Sequence, residues 1–122
     1  GVERGALLGM QAWLERQSRL PDLIWFVDDF AARGALLAMT GRGIRVPDDV
    51  QVMSWANRGL GPVFFKPLTR VEVAPVAHGR QIAECILNHV NGAVLPRKPI
   101  ELKPAFIKGE TTVETTKEET GQ

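Results

Sequence analysis

Two short clusters hold the side chains best suited to recognising a ligand. The first is Asp28-Asp29, directly after an apolar run, and the second is Ser54-Trp55-Ala56-Asn57, at the end of another. Carboxylates accept paired hydrogen bonds from hydroxyls, an amide both donates and accepts, and an aromatic face packs on C–H groups. Together these groups suit a polyol or a sugar. An aspartate before a helix also has a purely structural use, since it can accept the helix's first free N–H groups. That use fits Asp29 better than Asp28, which precedes it, and one residue can serve both ends. Trp55 and the Phe64-Phe65 pair could stack on a ligand, although packing is the commoner fate of such rings.

Other chemistry is poorly supplied. His78 and His89 fall on one predicted helix, about 16 Å apart at the usual rise and too far for one metal, and both read as surface residues. Cys85, the only cysteine, has no histidine recognisably placed to activate it and reads as a small buried filler. Arg42/Arg45 and Arg97/Lys98 read as solvated edges. The sequence has no phosphate-cradling glycine loop, nucleophile elbow or metal-ligand spacing. Neither a catalytic set, a metal nor a cofactor is expected, so the reading is non-enzymatic.

The elements that position the clusters follow from apolar spacing. Ala6, Leu7, Met10, Trp13 and Leu14 recur at helical steps, predicting an amphipathic helix over 3–19 that Pro21 stops. Residues 23–27, Leu-Ile-Trp-Phe-Val, are apolar without alternation, as in a parallel strand covered on both faces. Ala32, Ala35, Leu36 and Met39 form the stripe of a helix over 30–42. Residues 50–55 form a second apolar strand, so strand, helix and strand make a βαβ unit. A loop occupies 57–67. A third strand is expected over 68–73, with Val71 and Val73 on one face and Arg70 and Glu72 on the other. Pro75 suits the first turn of a helix running to Val90. A fourth strand over 100–107 contains Pro104, which confines it to an edge or bulge. In open sheets of this kind ligands collect beyond the carboxyl ends of the strands, where both clusters fall.

Composition sets outer limits. The chain has 122 residues, with 15 Lys+Arg against 14 Asp+Glu for a formal charge of +1, so no strong phosphate-attracting field exists. A single cysteine excludes an intrachain disulfide, and no apolar run has the roughly 20 residues of a membrane span. Neither a membrane nor an export leader is indicated. The 44% hydrophobic content suits one buried core. Val27-Asp28-Asp29 and Lys66-Pro67 imitate a response-regulator receiver, but the interval between them has room for only one further strand–helix unit, too few for that fold.

The order of phrases from Pro21 to Thr112 resembles the C-terminal half of the effector-sensing domain of LacI/GalR-type transcription regulators, which shares the type I periplasmic-binding-protein fold. Pro21-Asp22-Leu23-Ile24 leading to Asp28-Asp29-Phe30-Ala31-Ala32-Arg33-Gly34-Ala35-Leu36 is similar to the family's strand, Asn-Asp and Ala-x-Gly-Ala helix. Gly43-Ile44-Arg45-Val46-Pro47-Asp48-Asp49-Val50 is the most specific phrase. Pro67-Leu68-Thr69 with Val71 resembles the Pro-Leu-Thr-Thr-Val crossover, Gly79-Arg80-Gln81-Ile82-Ala83 the following helix, and Gly109-Glu110-Thr111-Thr112 the closing Arg-Glu-Ser-Thr.

The resemblance implies an α/β fold, a parallel-sheet lobe with helices on both faces over 1–109; residues 110–122, mostly Thr and Glu with Val113 as the only apolar side chain, read by composition as a disordered tail. The resemblance implies a small sugar or nucleoside effector held between two lobes by Asp28, Asp29, Trp55 and Asn57. It also implies a cytoplasmic homodimer with contacts near the helix from Phe30 and the loop 58–65, and operator DNA bound only through a region outside this chain. The resemblance reaches neither a helix-turn-helix region nor an N-terminal lobe, so the chain is expected to be a piece of a longer regulator. In the family the helix over 75–90 packs on that other lobe; here it is expected either to fold onto this lobe differently or to be covered by a second chain. Where the family carries a ligand-binding carboxylate after the second strand, this chain has Ala56. Asp28 supplying the charge, a different effector and no effector are the open alternatives. The rivals are an exported sugar-binding protein of the same fold and a degenerate lobe kept for dimerisation only.

Overall fold

A computed structural model describes residues 1–62 and 64–115. The elements are α1 (Val2–Arg16), β1 (Leu23–Phe26), α2 (Asp29–Gly41), β2 (Gln51–Asn57), β3 (Thr69–Val73), α3 (Pro75–Val90) and β4 (Ala105–Ile107). Strands lie in the order β1-β2-β3-β4, with β1, β2 and β3 parallel and β4 antiparallel to β3. Ile24 pairs with Val52 and Phe26 with Ser54, so the βαβ unit brings the carboxyl ends of both strands to one rim. Pro104 stands immediately before the short edge strand β4, as its missing N–H requires.

The core lies between α1, α2 and one face of the sheet. Leu36 and Met39 of α2 meet Leu14 of α1, Val46, Val50 and Val52 in a buried cluster, with Ile24 and Phe26 packed against it. The helices touch at Gly34, where an added Cβ would stand 2.0 Å from the Glu3 carbonyl oxygen. Arg33 and Glu3 form an ion pair beside that contact, at 2.7 Å. Exposed Arg45 and Asp49 join α2 to β2 through two side-chain hydrogen bonds, and the Asp49 carboxylate also accepts the Arg45 N–H. The Arg45 guanidinium, with help from that N–H, holds Asp49 below the usual carboxylate range.

Three expectations need correction. β1 is an edge strand rather than one covered on both faces. Leu23 and Trp25 point to an open side, and Trp25 is 50% exposed. Phe106 of β4 is 62% exposed. Outside the α1/α2 layer the only helix among the described residues is α3, and it buries none of its residues. Ile82, Ile86, Leu87 and Val90 all stay exposed, so of the two alternatives expected for this helix, folding onto its own lobe does not occur and cover by a second chain is the one left.

The third correction concerns the expected tail. Residues 116–122 lie outside the described residues, but the start of the segment is fastened to the sheet. Thr111 is fully buried beside the starts of β2 and β3. Its Oγ1 accepts the Thr69 N–H at 2.9 Å and donates to the Val52 carbonyl at 2.7 Å, while the Val52 N–H donates to the Thr111 carbonyl at 2.9 Å. The Glu110 N–H donates to the Pro67 carbonyl and the Val113 N–H to Gln51 Oε1. Gly109 lets this segment approach, because a Cβ there would stand 2.2 Å from the Pro67 oxygen. Thr111→Val leaves a buried donor and a buried acceptor unpaired, so urea denaturation should show a loss of about 2–3 kcal/mol, most of it recovered by Thr111→Ser.

Candidate functional site

Asp28 and Asp29 stand at the junction of β1 and α2. Asp28 is the N-cap: its backbone is extended and its Oδ1 accepts the Ala31 N–H at 2.8 Å. This reverses the assignment expected from the sequence. Asp29 is the first helical residue, and its Oδ1 meets only the adjacent Phe30 N–H, at 3.0 Å. Capping occupies one oxygen of Asp28 and leaves Oδ2 without a partner among the described residues. Both aspartates are half-buried.

β2 brings the second cluster to the same rim. Side chains alternate along it, so Val52, Ser54 and Ala56 are buried toward the helices while Trp55 takes the other face. Trp55 stacks on Trp25 of β1, with centroids 6.2 Å apart and ring planes 22° apart. The parallel register pairs Asn57 with Val73. A cavity of about 260 Å³ results, lined by Val27, Asp28, Asp29, Trp55, Ala56 and Asn57, with Val73 at its edge. All four residues singled out from the sequence line this one space. Val27 and Val73 were missed, because only the strand register brings Val73 beside Asn57.

Ala56 is 4% exposed and pairs with Glu72 across the strands. Glu72 is held by Arg70, Nε to Oε1 2.7 Å. Position 56 thus adds no polar side chain to the cavity, and the nearest cross-strand carboxylate is already paired. Hydrogen-bonding capacity toward a ligand rests on Asp28, Asp29 and Asn57.

The remaining candidates fall elsewhere. Phe64 packs on the core and leans on Phe65, 5.5 Å between centroids, while Phe65 is exposed. Cys85 is half-buried with a free thiol, His89 is exposed, and His78 is half-buried rather than on the surface. Among the described residues no cluster of three metal-ligating side chains occurs.

A family model described as "periplasmic binding protein-like domain" matches residues 2–112. The chain belongs to that family. Its relatives place it with the effector-binding domains of LacI/GalR-type regulators. The HTH-type transcriptional repressor PurR of Vibrio cholerae is 27% identical over 97 residues, 80% of this chain and 29% of that protein. PurR of Haemophilus influenzae is 28% identical over 94 residues, 75% of this chain and 28% of its own length. The chain therefore spans under a third of these curated relatives. Among solved structures, a LacI family transcriptional regulator from Arthrobacter sp. FB24 in complex with lactose superposes with a TM-score of 0.77 at 27% identity, covering 91% of this chain and 41% of that one. A PurR family regulator from Vibrio parahaemolyticus, 21% identical with a TM-score of 0.76, shares the fold. These relatives are named as regulators and not as enzymes. No helix of this LacI/GalR-type domain is long and apolar enough to cross a membrane, among the described residues.

The two aspartates should separate in a stability assay. Asp28→Ala removes the cap and should cost about 1 kcal/mol in thermal denaturation, with Asp28→Ser retaining most of it. Asp29→Ala should cost less, because Asp29 satisfies only its neighbour's N–H.

Proposed function

We propose that this lobe is the ligand-sensing and dimerising part of a cytoplasmic LacI/GalR-type transcription regulator. Its rim binds a small polar effector of the sugar or nucleoside class, and operator DNA is bound through a region outside this chain. The observation that carries the reading is the convergence of Asp28, Asp29, Trp55 and Asn57 on one cavity. Two carboxylates and an amide beside an aromatic ring recognise hydroxyls and a ring face, the surface a sugar or nucleoside presents. The bound lactose of the Arthrobacter regulator supports the sugar side of this class. Regulation follows by population shift: the effector binds the closed arrangement of two lobes more tightly than the open one, and that difference alone moves the equilibrium.

Support for the dimer comes from apolar side chains left on α2 and on the loop between β2 and β3. Phe30 and Leu37 are exposed on α2, and so is Phe65 in that loop. A C2 contact would cover them on both copies at once. Phe30→Glu with Phe65→Glu should shift sedimentation from dimer to monomer at micromolar concentration, and an unchanged dimer would remove this face from the interface.

Titration calorimetry of the full gene product with a panel of neutral sugars and nucleosides tests the sensing role. The expected outcome is saturable heat with at least one member, weakened about tenfold or more by Asp28→Asn or Asn57→Ala. Silence across the panel with association intact would leave a dimerisation lobe, a reading that Ala56 favours. An export signal on the same product in place of a DNA-binding region would make it an exported sugar-binding protein.

A further inference from the structure

A second cavity, of about 350 Å³, adjoins the first along the same rim, and Asn57 lines both. Its lining is mostly apolar, with Leu60, Pro75 and Val76, and Arg58 and Arg80 also belong to it. These arginines come from different places in the fold, directly after β2 and the second turn of α3. The Arg58 N–H donates to the Val73 carbonyl at 2.8 Å, which fixes the backbone there. Neither arginine side chain takes part in an ion pair or hydrogen bond among the described residues. The other arginine pairs (Arg33–Glu3, Arg42–Glu15, Arg45–Asp49, Arg70–Glu72) lie elsewhere.

The rim is therefore polarised. Asp28 and Asp29 supply two acceptors at one end, Asn57 stands in the middle, and Arg58 and Arg80 supply two cationic forks at the other. Resting on the effector reading above, we propose that the effector is an anionic polyol, a sugar phosphate or sugar acid spanning both cavities. Its hydroxyls are held by Asp28, Asp29 and Asn57, its ring lies over Leu60 and Pro75, and its anionic group lies between Arg58 and Arg80. Guanidinium forks suit phosphate and carboxylate oxygens, and charge-assisted bonds are about twice as strong as neutral ones. The charges also set direction, since the reverse pose would drive the anion against two carboxylates. Ala56 fits the same logic: a carboxylate there would add negative charge to the cavity beside the anion's path.

Calorimetry of the full gene product tests this with three probes, glucose, glucose 6-phosphate and glucuronate, and with inorganic phosphate as a control. Either charged sugar, or both, should bind at least tenfold more tightly than glucose. The preferred one identifies the anion, and raising the salt concentration should reduce the preference. Arg58→Gln with Arg80→Gln should bring the ratio within about twofold while leaving glucose binding and the melting temperature unchanged. Glucose binding as tightly as both charged forms would overturn the proposal and leave the sensing role intact. Inorganic phosphate binding as tightly as the charged sugar would overturn it too, as an anion site independent of the sugar. Absence of binding by all four probes would also overturn it. The wider panel of neutral sugars and nucleosides then decides separately whether the sensing role itself stands.

Discussion

The arrangement at the rim depends on the burial of one helical stripe against two parallel strands. Ala32, Ala35, Leu36 and Met39 have essentially no exposed surface, and across from them Val52 and Ser54 are fully buried on β2. Fully burying side chains such as Leu36 and Met39 is worth about 1.5–3 kcal/mol each. Because α2 must lie along both β1 and β2 to bury that stripe, the chain enters β2 in the same direction as β1. The ends of both strands then reach one edge, and the first cluster stands beside the second. Asp28 sits where this constraint meets chemistry, because the residue that starts the stripe's helix also lines the cavity.

The opposite ends of the strands are held by a different device. Thr111 fills the place where β3 would otherwise extend beside β2, and supplies the hydrogen bonds that a longer strand would have made to Val52. Unpaired buried backbone groups are costly, so this short segment does for β2 what a sheet neighbour does. Thr69 connects it to β3 through contacts with Gly109, Thr111 and Thr112. The rim carrying Asn57 thus lies at the far end of a strand pinned at its base, and is free to vary in residue type without loosening the sheet.

Much of this was legible in the sequence, and the parts that were not share a cause. The apolar run at Leu23, the stripe from Ala32 and the turn at Pro47-Asp48 fixed the βαβ unit and the rim, because periodicity reports which faces want burial. Periodicity does not report what buries them. Leu23 and Trp25 look like a doubly covered strand, yet β1 is an edge. Ile82, Ile86 and Leu87 form a stripe with nothing against it. The Thr/Glu-rich end reads as solvated by composition, but one threonine in it satisfies partners more than 40 residues away in sequence. Asp28 took the cap because β1 ends one residue earlier than its apolar run does, which is a matter of geometry rather than composition.

On the proposed reading, the position of α3 explains how a ligand at the rim could be felt elsewhere. Pro75, Val76 and Arg80 line the second cavity, and the same helix carries its uncovered apolar stripe further along. A ligand touching the first turn therefore acts on a rigid rod of about 24 Å at the usual rise per residue. Small changes in tilt at the cavity become larger displacements at Val90. No such movement follows from tight binding alone, because a ligand with equal affinity for two arrangements shifts neither. The differential has to come from contacts made in only one arrangement. Of the polar groups around the two cavities, Arg80 alone sits on α3, while Asp28 and Asp29 stand at the β1–α2 junction and Asn57 and Arg58 at the end of β2. A ligand bridging those two sets is bound more tightly when helix and sheet are held at one particular angle, which is the condition that binding must meet to become a signal.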